Sequence, residues 1–150
     1  MKKLELKWIM QPRRGERLDF VVSNRSLYKE FVGRGLDVVP RTGSNSVPLD
    51  LELRDLLLLE KAGDTPLGRV ALYICPVCGD PGCGVVSVKI TRDDVSFTWN
   101  DFGWEPDYID EEQAFRPYEK LGPFRFDAQE YRHALLGPSG SATGIDVANQ

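Results

Sequence analysis

The chain has 150 residues, 41% of them hydrophobic and 28% charged. That is the length of one domain, with enough apolar mass to bury a core without disulfides or a metal. The composition excludes a disordered, collagen-like or coiled-coil chain, and no apolar run approaches the ~20 residues that a membrane-spanning helix needs.

The net charge of −4 is unevenly spread: residues 1–47 hold ten Lys/Arg against five Asp/Glu, and residues 48–150 hold nine against eighteen. The halves therefore carry +5 and −9, a division that sets a basic face against an acidic one if folding keeps them apart. Near the start, Glu5 and Lys7 break up the apolar residues, so there is no signal-peptide core and the cytoplasm is the expected compartment.

In chain order, Leu4, Leu6 and Trp8 alternate with Glu5 and Lys7, which predicts a strand with one buried face. Pro12, Arg13, Arg14 and Gly15 form a basic turn. Leu18, Phe20 and Val22 then predict a second strand, giving a hairpin over residues 3 to 22. Ser23, Asn24 and Ser26 are candidate caps for a short helix carrying the pairs Leu27/Phe31 and Tyr28/Val32, ended by Gly33 or Gly35. Residues 40–48 are a loop by composition. Alternation of Leu49, Leu51 and Leu53 allows a strand, followed by a helix over Asp55–Ala62 that Gly63 ends.

Residues 69–104 read as three antiparallel strands. Their inward sets are Val70/Leu72/Ile74, Val86/Val88/Ile90 and Val95/Phe97/Trp99, with Ser87, Lys89, Ser96, Thr98 and Asn100 outward. Arg92, Asp93 and Asp94 connect the second to the third. A final helix has a capping box at Asp127 and Glu130 and a hydrophobic staple of Phe126 on Tyr131. Leu135 continues its buried face, and Gly137 with Pro138 is expected to end it. The pattern predicts an α+β fold: a mainly antiparallel sheet of about five or six strands with two or three helices. Residues 1–137 are expected to form the single domain and 138–150 a mobile tail.

All three cysteines fall between Cys75 and Cys83, in CPVCGDPGC. Cys75 and Cys78 are spaced as in a zinc knuckle, and Cys83 would be a third ligand. A structural site needs four ligands; the only histidine is His133, two residues from Tyr131 and so off the staple face, and Asp80 is an oxygen alternative. Three readings stand: a structural zinc site, a redox pair of Cys75 with Cys78, or small thiols packed in a tight hairpin. The odd number argues against a closed disulfide framework.

The run Gly68–Gly84, Val95–Phe102 with Trp99 and Phe102, and Leu121–Asp127 before a helix bearing Tyr131 resemble a family of small bacterial cytosolic proteins with a CPxCGDxGCG hairpin and no established function. The resemblance covers residues 49–136. It implies a last helix that does not depend on a histidine at His133. Such proteins are at times labelled oxidoreductases, but no flavin or nicotinamide fingerprint is present.

Residues 101–112, DFGWEPDYIDEE, hold six carboxylates, Asp101, Glu105, Asp107, Asp110, Glu111 and Glu112, among Phe102, Trp104 and Tyr108. Gly103 and Pro106 argue against regular structure through the middle, so the segment reads as a surface loop. Aromatic anchors with carboxylates suit a basic protein partner and would repel nucleic acid. The leading expectation is a non-enzymatic binding protein, an adaptor or inhibitor, of which an immunity protein is one case. The alternative is a thiol- or metal-dependent enzyme centred on Cys75, Cys78 and Cys83. A lesser reading, nucleic acid held by Arg13, Arg14 and Arg17, has too few cations to carry it.

Overall fold

A computed structural model describes residues 1–12, 14–43, 49–76, 84–106 and 115–141, the last five as backbone alone. The first hairpin pairs β1 (Leu4–Gln11) with β2 (Gly15–Val22) in the register Leu4↔Val22 to Gln11↔Gly15. A two-residue turn at Ser23 and Asn24, both at positive φ, leads into β3 (Arg25–Ser26). Such a turn matches the twist of a hairpin, and Asn tolerates it with little strain. Ser23 N–H donates to the Lys3 carbonyl, so odd-numbered residues of β1 bond toward β2. Even-numbered ones turn their amides to the other edge, where Lys2 N–H donates to the Arg125 carbonyl.

Ser26 caps α1 (Leu27–Gly33), its hydroxyl accepting from Lys29 N–H at 3.1 Å. The helix closes in a Schellman motif: Leu36 N–H donates to the Phe31 carbonyl and Gly35, at φ +88°, donates to that of Val32. β4 (Val39–Pro40) follows. The expected strand over 49–53 is instead the start of α2 (Leu51–Leu57), because Asp50 accepts from Leu53 N–H at 2.8 Å and caps a helix there. Leu53, Leu56 and Leu57 have helical spacing and are buried, whereas Leu51 is 67% exposed, so the 3.6-residue period wins over the alternation. Leu59, in the left-handed region at φ +60°, lies just beyond the helix, which ends well short of Ala62.

The predicted meander is present as β5 (Val70–Ile74), β6 (Val85–Arg92) and β7 (Ser96–Glu105), paired antiparallel. Asp93 closes the β6–β7 turn by accepting from the amides of Val95 and Ser96. Val95 lies outside β7 and is 55% exposed. β4 extends this sheet beside β5, and β8 (Arg116–Pro117) and β9 (Phe124–Asp127) share the far edge of β7. The protein is thus α+β, and its described residues form a three-stranded and a six-stranded antiparallel sheet. Among the described residues a parallel bridge, Lys2↔Phe126, joins their backbones, and Phe20 and Asp19 of the first pack on Trp99 and Tyr73 of the second.

Burial on both faces of the strands departs from the expected alternation. Every residue of β5 is buried, and so are Asp19, Val21, Ser87 and Ser96, placed outward or polar by pattern. One face packs on the main core; the other carries a second apolar cluster of Val39, Ala71, Ile74 and Val85, with polar partners beside it. Strands covered on both faces lose the period-two signal.

Trp99 is the centre of the main core, ringed edge-on by Phe20, Phe126 and Tyr131 at 5.2–6.2 Å. Its indole N–H donates to the Tyr131 hydroxyl at 3.0 Å, and that hydroxyl donates to the Leu57 carbonyl at 2.6 Å. One chain of bonds therefore ties β7 to α2 through α3 (Ala128–Ser141). Burial raises the Tyr131 phenol far above its ordinary value, so it stays a donor. Tyr131→Phe strands a buried indole donor and a buried carbonyl, and is expected to cost about 1–3 kcal/mol in urea unfolding.

Asp127 caps α3, accepting from Glu130 N–H at 3.0 Å, and Phe126 packs on Tyr131 at 5.4 Å, as the staple predicts. The helix does not stop at Gly137 and Pro138. It continues to Ser141 with Pro138 inside it, where the missing amide removes one helical hydrogen bond. Residues 138–141 of the expected tail are therefore helical, and 142–150 lie outside the described residues. Among the described residues no helix is long and apolar enough to cross a membrane.

Candidate functional site

The register of the meander brings Cys75, Gly84 and Pro106 to one end of the sheet. Ile74 pairs with Val85, and Val85 with Glu105. The chain therefore leaves β5 at Cys75, enters β6 after Gly84 and leaves β7 at Pro106 from three adjacent strand ends. Cys75 is half-buried there. Cys78, Cys83, Asp107, Tyr108, Asp110, Glu111 and Glu112 lie outside the described residues.

The expectation of a loop over 101–112 fails for its first five residues, which complete β7. A bulge absorbs the irregularity: Asp101 is at φ +55°, exposed, and the pairing slips between Ser87 and Lys89. Gly103 sits in the strand because Phe115 lies across it; a Cβ there would be 2.1 Å from the Phe115 ring.

Trp104 is half-buried, packed against the main core and against Gly84. Gly84 has φ +95°, and a Cβ there would stand 2.7 Å from the indole. A glycine is needed at this position on both counts.

Glu105, expected on an exposed acidic surface, is 0% exposed. Its side chain points to the other face, where one carboxylate oxygen accepts from the Ser87 hydroxyl at 2.9 Å and lies 4.0 Å from Arg69 Nε. The other accepts from Leu67 N–H at 3.1 Å. Arg69 donates from Nε to the Ser87 hydroxyl at 2.8 Å and stacks on Phe115 at 4.2 Å. Burial lowers the Arg69 pKa, and the charges of Glu105 and Asp101 oppose that shift. An acid buried for a cation two strands away leaves no mark in a sequence run; the acidic count around it hides the pairing.

A second buried carboxylate, unforeseen in the sequence, is Asp19. It accepts from the Tyr73 hydroxyl at 2.6 Å, from Tyr28 N–H at 3.2 Å and from the Ser26 hydroxyl. Burial raises its pKa, against the lowering effect of these donors. It is closed off from solvent, so it joins β2, α1 and β5 rather than meeting a substrate.

Of the arginines in the basic turn, Arg14 pairs with Asp37 at 3.2 Å, and Arg17 donates to the carbonyls of Pro40 and Thr42. Both are committed within the protein; Arg13 lies outside the described residues. His133 is exposed on α3. Among the described residues no group of three or more His, Cys, Asp or Glu could hold a metal. A scan against protein-family models, a search of curated proteins and a search of solved structures each returned no match.

Proposed function

We propose that the chain is a non-enzymatic protein-binding protein, an adaptor or inhibitor, that meets a basic partner through the aromatic and acidic surface rooted at the end of β7. Trp104 carries this reading. It is partly exposed and packed against Gly84, so it offers some contact area with little freedom left to lose on binding. Asp101 is exposed on the same strand, and Asp107, Tyr108, Asp110, Glu111 and Glu112 follow within eight residues of Trp104. Carboxylates in that number would speed the approach of a basic surface and repel phosphates. Glu105 takes no part, because its charge is already matched inside. An immunity protein that neutralises a basic toxin is one concrete case.

The test is retention of basic proteins from a cell extract on the immobilised chain at low salt. Trp104→Ala should weaken retention tenfold or more while still unfolding cooperatively. Asp110→Lys with Glu111→Lys should mainly slow association, and salt should weaken it for the unaltered protein. Equal retention by all three proteins would remove the reading.

The half-buried Cys75 favours a second reading, a zinc site formed with Cys78, Cys83 and one further ligand. Thiolates favour zinc among the common divalent ions. A closed site would be structural, and an open coordination position would make the chain a thiol- or metal-dependent enzyme. Elemental analysis with thiol titration decides. If zinc is bound, Cys78→Ser should lower the thermal midpoint. Less than about a tenth of an equivalent of zinc, with every thiol titratable in the folded protein, would leave the cysteines as packing residues.

A further inference from the structure

We draw no further inference here: the strongest candidate, the outer edge of β1 toward the tip of the first hairpin, where Trp8 and Met10 are exposed, is an unpartnered strand edge and nothing in the structure shows what covers it.

Discussion

Asp19→Ala is expected to destabilise the protein by about 3 kcal/mol or more, because it removes the acceptor for three donors at once. The Tyr73 hydroxyl and the Tyr28 amide both bond one carboxylate oxygen, and the Ser26 hydroxyl bonds the other. Ser26 also caps α1, so the loss would spread from the sheet to that helix. Asp19→Asn is the more informative variant. Its amide oxygen can still accept from Tyr73 and Tyr28, and its NH2 group can donate to Ser26 Oγ.

The unaltered protein and Asp19→Asn should part with pH. Burial raises the folded-state pKa of Asp19 above the ordinary value of 3.8. A raised carboxyl pKa favours the folded state most when the group is protonated, below the unfolded value. That contribution is lost as pH rises through the folded value. The amide of the variant cannot titrate, so the stability of Asp19→Asn relative to the unaltered protein should grow as pH rises above about 4. Urea unfolding of both proteins between pH 4 and 7 measures this. Parallel stability curves would show that the carboxyl is not the group responsible.

The pair of Arg69 with Glu105 should give the second large effect. Glu105→Leu alone is expected to cost about 3–5 kcal/mol, since it leaves a desolvated guanidinium without its counter-charge. Arg69→Met with Glu105→Leu should cost less than Glu105→Leu alone, because two apolar side chains replace two charges. A double-mutant cycle by urea denaturation reads the difference. Simple additivity of the two single costs would mean that the carboxylate serves Ser87 and Leu67 alone.

These two carboxylates mark where sequence reading stops. The first hairpin, the meander and the capped last helix are legible because their signals are local: alternation, a turn, or a cap three residues from its donor. The start of α2 is not, because Leu49, Leu51 and Leu53 satisfy a strand period while Asp50 satisfies a cap, and only packing selects between them. β3, β4 and β8 are two residues long, below the length at which any period exists. Asp19 and Glu105 look like solvent-facing acids since no local pattern marks their partners, which are 7, 9 and 54 residues away for Asp19 and 18 and 38 for Glu105. Trp104 is partly exposed, as its acidic neighbours suggest, but on a different backbone from the expected loop. It sits on a strand and packs against Gly84, so it is held more rigidly than a loop residue would be.

The bridge between Lys2 and Phe126 has a consequence for how the molecule is assembled. The opening hairpin can zip up from its own turn as soon as it exists, yet its seat beside β9 is built from residues near the far end of the described chain. Closing so distant a contact demands chain entropy before it returns any packing, which slows folding. During synthesis the hairpin therefore gains its cover in stages: Tyr73 and Trp99, which pack on Phe20, emerge first, and the Phe126 edge that Lys2 bridges emerges last. That interval is when this chain is most open to wrong pairings, and a holding chaperone would have most to shield.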